Sequence, residues 1–162
     1  MFELKSSAAT DKPALYTQLL EQARALVGDE KNAIANAANL SALIWHTLPG
    51  LNWAGFYLFD GKELVLGPFQ GKPACIRIAL GKGVCGTAAQ TRKTVIVTDV
   101  HQFPGHIACD SASNSEIVVP LVKDGKLLGV LDLDSPALSR FDVEDAAGLE
   151  RLAVIWLSSK FP

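Results

Sequence analysis

The sequence predicts an α/β fold of the α+β type: a central six-stranded, mostly antiparallel sheet with the N- and C-terminal helices packed on one face. Three observations carry this prediction. Apolar residues recur at helical spacing in two N-terminal segments and one C-terminal segment. The middle of the chain contains short apolar runs typical of strands, and tight turns join most of them, which favours antiparallel pairing. Because helices and sheets bury their apolar faces against each other, we expect the opposite face of the sheet to be open to a ligand.

Length and composition favour one domain, residues 1–162, since 49% of the residues are hydrophobic and 20% are charged. Such a chain can bury a core, which excludes intrinsic disorder. The net charge of −2 leaves no surplus of positive charge for nucleic-acid binding. No apolar run approaches the roughly 20 residues that span a membrane, and the N-terminus lacks a secretion signal. We therefore expect a cytoplasmic protein with no membrane partner.

Four helices are predicted from apolar spacing and from residues that begin or end helices. Asp11 caps the first helix, which is about 16 residues long by its apolar spacing. Asp142 caps the last helix, and Asp145 is placed to complete a capping box with it. The other predicted helix bounds are residues 30–47, 87–92 and 143–160.

Six strands are predicted between the second and the last helix, with hairpin turns at Asp60-Gly61 and at residues 123–125. The predicted strands are residues 53–59, 63–67, 75–80, 94–98, 116–122 and 126–134. The connection over residues 99–115 is long, and long connections without regular structure are usually functional or mobile.

A glycine-rich turn, Gly81-Lys-Gly-Val-Cys-Gly86, fits the dinucleotide-binding pattern G-x-G-x-x-G. The helix that follows it is too short for a crossover between parallel strands, and the chain lacks the alternating strand–helix order of such proteins. A tight turn that needs glycine is therefore the favoured interpretation. The N–H groups at the start of the following helix could still attract an anion.

The three cysteines lie in the loop-rich half of the chain, at positions 75, 85 and 109, and the long helices contain none. One isolated thiol is usually a small buried hydrophobe, but this distribution favours chemistry. A zinc site is the alternative, because His101 and His106 lie near Cys109. The spacing of these residues is not that of a structural zinc site, so we expect no bound metal.

Three carboxyl groups are expected to share one wall of a pocket. Period-2 alternation places Asp132 and Asp134 on the sheet face of Leu128 and Val130, and hairpin pairing can bring Glu116 beside them. Three like charges repel, so at least one pKa should rise. Such a wall suits a cationic ligand such as an amine, and a protonated carboxyl group can act as a general acid. The alternative is ordinary solvated strand ends followed by a turn.

Two aromatic residues, Trp53 and Tyr57, lie four positions apart on one predicted strand and therefore on one face. Core packing is the usual role of such a pair. The alternative is that they wall a small apolar pocket.

Several stretches together resemble the free methionine-(R)-sulfoxide reductases, a family of stand-alone GAF-type domains. The resemblance covers nearly the whole chain, and its most specific part runs from residue 105 to residue 116. The matching stretches are Asn52-Trp-Ala-Gly-Phe-Tyr57, Gly71-Lys-Pro-Ala-Cys75, Gly81-Lys-Gly-Val-Cys-Gly-Thr87, Asp99-Val-His, Gly105-His-Ile-Ala-Cys-Asp110, Ser113-Asn-Ser-Glu-Ile-Val118 and Gly129-Val-Leu-Asp-Leu-Asp-Ser135.

The resemblance implies a GAF-like homodimer that protects against oxidative stress by reducing free L-methionine-(R)-sulfoxide. It implies that Cys109 is the nucleophile, that Cys75 is the resolving cysteine and that Cys85 is a second thiol able to exchange with the disulfide. Thioredoxin would restore the thiols, and no cofactor is implied. The alternative is a GAF-type sensor that binds a small ligand without chemistry.

The resemblance also assigns the substrate pocket. It implies that Glu116, Asp132 and Asp134 bind the substrate and supply the acid, with the division of labour among them left open. Trp53 and Tyr57 would receive the methyl end of the sulfoxide.

Overall fold

The computed structural model describes residues 1–6, 9, 11–107 and 109–159, which form a six-stranded sheet flanked by four α-helices. No helix of this described part is long and apolar enough to cross a membrane. In chain order the elements are α1 (Lys12–Val27), α2 (Ala33–Thr47), β1 (Trp53–Phe59), β2 (Glu63–Gly71), β3 (Arg77–Ala79), α3 (Gly83–Thr91), β4 (Val95–Val97), a 3₁₀ turn (Val100–Gln102), β5 (Ser115–Lys123), β6 (Lys126–Ser135) and α4 (Val143–Leu157).

The strands lie in the order β3-β2-β1-β6-β5-β4, and every neighbouring pair is antiparallel. This confirms the predicted fold class. The edge strands β3 and β4, which flank α3 in the chain, lie at opposite edges of the sheet. They cannot form the parallel strand–helix–strand unit of a dinucleotide-binding fold, so the glycine-rich turn does not have that role.

The two faces of the sheet carry separate apolar clusters. Helices α1, α2 and α4 cover one face, as predicted, and α3 packs against the other. Large side chains fully buried on the three-helix side include Leu19, Leu20, Leu40, Ile44, Phe56, Leu131 and Trp156. The side that carries α3 has a smaller cluster, which includes Trp53, Tyr57, Val84, Cys85, Val118 and Val130.

Asp145, in the first turn of α4, links this helix to α1 by hydrogen bonds. Its buried carboxylate accepts hydrogen bonds from the Tyr16 hydroxyl at 2.8 Å, Lys12 Nζ at 2.5 Å and Arg140 Nη1 at 3.2 Å. It also accepts from the backbone N–H of Asp142 at 2.9 Å, which completes the predicted capping box. The carboxylate is thus fully paired, which a buried charge requires.

Gly148 on α4 gives the ring of Tyr16 the space it occupies, because a Cβ at this position would overlap the ring. We expect Gly148→Ala to lower the free energy of unfolding by about 1–3 kcal/mol, since the packed helices must move apart. On the exposed side of the same helix, Ala147→Ser should change the free energy of unfolding by less than about 0.5 kcal/mol. Urea titration of both variants measures the difference. Equal stability of Gly148→Ala and the wild type would contradict this packing.

Two helices begin at residues other than those predicted. Helix α2 begins at Ala33 rather than at residue 30, because Asn32 Oδ1 accepts hydrogen bonds from the backbone of Ile34 and Ala35, both at 3.0 Å. Helix α3 begins at Gly83 instead of residue 87 and so includes part of the glycine-rich turn. A Cβ at Gly86 would overlap the carbonyl oxygen of Ala79, which makes glycine necessary within the helix.

A bulge near the start of β6 changes which side chains share a face. Leu121 pairs with Gly129 and Val122 pairs with Leu127, so Leu128 has no partner in β5. Leu128 therefore packs on the three-helix side, and the prediction that it shares the face of the aspartates is wrong. Regular alternation after the bulge leaves Val130 on the α3 side with Asp132 and Asp134, as predicted.

Candidate active site

A pocket lies on the α3 face of the sheet, between β1, β5, β6, the start of α3 and the long loop before β5. Every predicted site residue except Cys75 lines it, and Cys75 is joined to the lining by a disulfide. The predicted residues that line the pocket are Trp53, Tyr57, Cys85, Cys109, Glu116, Asp132 and Asp134. The structure therefore places the thiols, the carboxyl groups and the aromatic pair around one cavity.

Strand register brings the three carboxyl groups together. Glu116 on β5 pairs directly with Asp134 on β6, and Asp132 lies two residues earlier on the same face. Strand β1 closes the other side of β6, where Trp53 pairs with Asp134. Glu116 and Asp132 are only 6% and 5% exposed, so water cannot screen their charges well.

Burial is the main reason why all three carboxyl groups are difficult to ionise. It raises the pKa of Glu116, Asp132 and Asp134 well above the ordinary values. The negative charge of another of these three groups raises each pKa further. The sequence predicted such a rise for at least one of them. Oδ1 of Asp132 is buried and has no hydrogen-bond partner among the described residues. The wall thus holds protons and an unsatisfied acceptor, which suits a donor or a cation.

The raised pKa of Asp132 has a consequence for stability. Below its ordinary pKa of 3.8 the side chain is protonated in both the folded and the unfolded chain. As the pH rises from there through the raised pKa of the folded state, only the unfolded chain ionises freely, so the folded state loses stability.

Asp132→Asn cannot ionise, and we expect it to melt at a higher temperature than the wild type at about pH 8. A gain of about 1 kcal/mol would correspond to roughly 2–4 °C in a chain of this size. The difference should shrink as the pH falls towards about 4. The exposed Asp29→Asn serves as the control and should show no such pH-dependent difference. A Tm difference for Asp132→Asn that does not change with pH would contradict the ionisation argument.

Cys85 lies in the first turn of α3 and faces the carboxyl groups. Its Sγ is 3.9 Å from Glu116 Oε1, and the residue is 4% exposed. Burial, followed by the nearby charges of Asp132 and Glu116, raises the pKa of the thiol well above its ordinary value. Cys85 is therefore held as a neutral thiol, which is a poor nucleophile.

A disulfide joins Cys75 to Cys109, with the Cα atoms 5.7 Å apart. It ties the connection between β2 and β3 to the long loop before β5, across 34 residues of sequence. Cys109 is exposed and Cys75 is half-buried, so another thiol can reach the bond from solvent. Cys85 is free.

The loop that carries Cys109 is held by polar residues that the sequence analysis did not assign to the substrate site. Asn52, just before β1, donates from Nδ2 to Asp110 Oδ2 at 3.2 Å and to Ser113 Oγ at 3.0 Å. His106 Nε2 lies 3.6 Å from Glu116 Oε2. Burial lowers the pKa of His106, so this contact involves a neutral imidazole at pH 7. Asn52 and Ser113 lie in two of the matching stretches, which is the one sequence signal that singled them out.

Aromatic rings form the apolar side of the pocket. Trp53 stacks on Tyr57 with ring centroids 5.8 Å apart and on Phe69 at 5.2 Å. The Tyr57 hydroxyl donates to the carbonyl of Cys75 at 3.0 Å, and Trp53 Nε1 donates to the carbonyl of Lys72 at 3.2 Å. These bonds fix both rings, so the pair serves core packing and pocket lining together.

The histidines do not form the zinc site considered from the sequence. His101 Nε2 lies 2.9 Å from Asn114 Oδ1 and is outside the pocket lining. Within the described ranges, the one group of residues with metal-binding geometry is Cys85, Glu116 and Asp132.

An antiparallel sheet with three helices on one face and a ligand pocket on the other is the architecture of a GAF domain, and the GAF domain family model matches residues 38–155. The free methionine-R-sulfoxide reductase of Escherichia coli is 51% identical over 88% of this chain and 86% of its own length. The chain belongs to the free methionine-R-sulfoxide reductase family.

Two solved structures superpose closely on this chain. The free methionine-R-sulfoxide reductase of Neisseria meningitidis, determined in complex with its substrate, superposes with a TM-score of 0.93. It is 50% identical, and the match covers 97% of this chain and 94% of that one. A structure from Burkholderia vietnamiensis, named as a GAF sensor protein, is 67% identical and superposes with a TM-score of 0.89. The match covers 91% of this chain and 94% of that one.

Proposed function

We propose that this protein reduces free L-methionine-(R)-sulfoxide to methionine, with Cys109 as the nucleophile and Cys75 as the resolving cysteine. One observation carries the proposal: Cys109, already in a disulfide with Cys75, lines the same pocket as the buried Glu116 and Asp132 and the half-buried Asp134, whose carboxyl groups have raised pKa values. The pocket thus offers a sulfur nucleophile, a source of protons and a site for a positive charge. The reductases named among its relatives support the same reaction.

The chemistry requires each of these groups. The Cys109 thiolate attacks the sulfoxide sulfur, while a protonated carboxyl group gives its proton to the departing oxygen. The sulfur–oxygen bond breaks and hydroxide leaves, so that a sulfur–sulfur bond joins Cys109 to the substrate. Hydroxide then attacks the Cys109 sulfur, the sulfur–sulfur bond breaks, methionine is released and Cys109 is left as a sulfenic acid. The thiol of Cys75 then attacks that sulfur and expels water, which leaves the disulfide. The two electrons come from the two thiols, so no cofactor is needed.

The carboxyl wall explains a preference for the free amino acid. An ammonium group bound there would offset the repulsion among Glu116, Asp132 and Asp134 and would satisfy Oδ1 of Asp132. A methionine sulfoxide residue within a protein has an amide instead of the ammonium, so the carboxyl groups would stay unpaired. The stacked rings of Trp53 and Tyr57 would receive the methyl end.

The exposure of Cys109 supports thioredoxin as the reductant, because the thiolate of a protein reductant must reach one sulfur of the Cys75–Cys109 disulfide. Exchange through Cys85 stays a prediction. Its burial and its raised pKa favour direct attack of the reductant on the Cys75–Cys109 bond. The predicted homodimer and cytoplasmic location also stay predictions.

Incubation with racemic free methionine sulfoxide and a thioredoxin regenerating system tests the function. We expect half of the racemate to be converted to methionine, because one sulfur configuration reacts. N-acetylmethionine sulfoxide, which lacks the ammonium group, serves as the matched control and should react at least about 100-fold more slowly. Failure to consume any free sulfoxide would favour the alternative of a small-ligand sensor.

A further inference from the structure

The Cys85 thiol and two pocket carboxyl groups form a set of ligand atoms that the reduction does not require as a set. Sγ of Cys85 and one carboxylate oxygen each from Glu116 and Asp132 lie within 4.8 Å of one another, and all three residues are buried. Oδ1 of Asp132, a residue that lines the pocket, is a second indication of a ligand, since this atom is buried and has no hydrogen-bond partner within the described ranges. His106 Nε2, 3.6 Å from Glu116 Oε2, adds a nitrogen donor at the edge of the set.

We propose that the pocket binds one zinc ion between Cys85, Glu116 and Asp132, and that the bound ion excludes the ammonium group of the substrate. On binding, the Cys85 thiol and the carboxyl groups of Glu116 and Asp132 release their protons to solvent as the bonds to zinc form, and no electron is transferred. The zinc site stands on geometry alone, whereas the inhibition rests on the proposed function. The ion is an inhibitor in this scheme and not a cofactor, since it occupies the place of the substrate.

The ligand types select zinc over the common hard cations. Zinc accepts thiolate sulfur, imidazole nitrogen and carboxylate oxygen in four-coordinate sites. Calcium and magnesium prefer six or more oxygen ligands, which two carboxyl groups and a thiol do not supply. Three protein ligands leave one position for water or for His106.

Cobalt(II) titration tests the site without any enzymatic readout. We would use the double variant Cys75→Ser/Cys109→Ser, because Cys85 is then the one cysteine left in the sequence. A thiolate-to-cobalt absorption band should saturate at one ion per chain, and added zinc should abolish it because zinc binds such sites more tightly. Cys85→Ser in this background should lose the band, and Asp132→Asn should weaken cobalt binding at least about 10-fold. Asp29→Asn should leave the titration unchanged.

Several outcomes overturn the site: no saturable band, or binding that is equally tight after Asp132→Asn. Circular dichroism shows whether each variant is folded. If Cys85→Ser does not fold, the titration of Asp132→Asn decides whether the metal site exists. For inhibition, zinc should raise KM for the free sulfoxide without lowering kcat, with thioredoxin as the reductant because small dithiols bind zinc. Normal turnover with a silent cobalt titration refutes the zinc site alone, and a positive titration without turnover refutes the proposed function alone.

Discussion

Cys109→Ser should reduce the turnover of free methionine-(R)-sulfoxide by about 1000-fold or more, because the reaction loses its nucleophile. The serine hydroxyl occupies the same place but does not ionise near neutral pH, and oxygen is a much weaker nucleophile than sulfur towards a sulfoxide. Steady-state release of methionine, measured with a thioredoxin regenerating system, gives the comparison. The pocket residues on β1, β5 and β6 are unchanged, so substrate affinity should be retained.

Cys75→Ser is the matched variant, since it removes the other half of the disulfide but leaves the nucleophile. Without a reductant, the prereduced variant should still release about one methionine per chain and accumulate a sulfenic acid on Cys109. Labelling with a sulfenic-acid reagent, followed by peptide mapping, locates the modified sulfur. A burst of methionine from Cys109→Ser, or a label on Cys85, would assign the attack to a different thiol and overturn this mechanism.

Glu116→Gln should lower kcat/KM for the free sulfoxide by roughly 100- to 10,000-fold, the usual contribution of a general acid. The amide keeps the shape of the side chain but cannot give a proton to the departing oxygen. Glu116 contacts both Cys85, at 3.9 Å, and His106, at 3.6 Å, and its pKa is raised by burial and then by Asp134. Its protonated form therefore persists to a higher pH than that of an ordinary glutamate.

The pH profile separates an acid from a residue that only shapes the pocket. In the wild type, kcat/KM should fall on the alkaline side as the pH rises through the raised pKa of the acid, because the proton donor is lost there. For Glu116→Gln, kcat/KM should be low at every pH and should show no such fall on the alkaline side. Glu150→Gln, an exposed carboxylate on α4, is the control and should leave both unchanged. If Glu116→Gln has the same kcat/KM as the wild type, Glu116 is not the group that gives the proton to the departing oxygen.

Much of the fold could be predicted from short-range patterns. The capping box of Asp142 and Asp145 and the N-cap Asp11 both form as predicted, because each depends on residues within one helical turn. Regular alternation along β6 correctly placed Asp132 and Asp134 on one face. One error occurs where a distant group intervenes: at Leu128, a mismatch with β5 produces a bulge. The early start of α3 similarly depends on contact with the end of β3.

The sequence by itself determined the element types, their order and the face on which the carboxyl groups lie, because period, caps and turns act over a few residues. The resemblance implied Cys75 as the resolving partner of Cys109, and the tertiary structure joins the two in a disulfide. Only the tertiary structure decided that Cys85 is buried against the acids. The physical reason is that disulfide pairing and desolvation depend on which remote segments come within a few ångströms. The raised pKa values of the carboxyl trio have the same origin, since β1, β5, β6 and α3 must pack together before water is excluded.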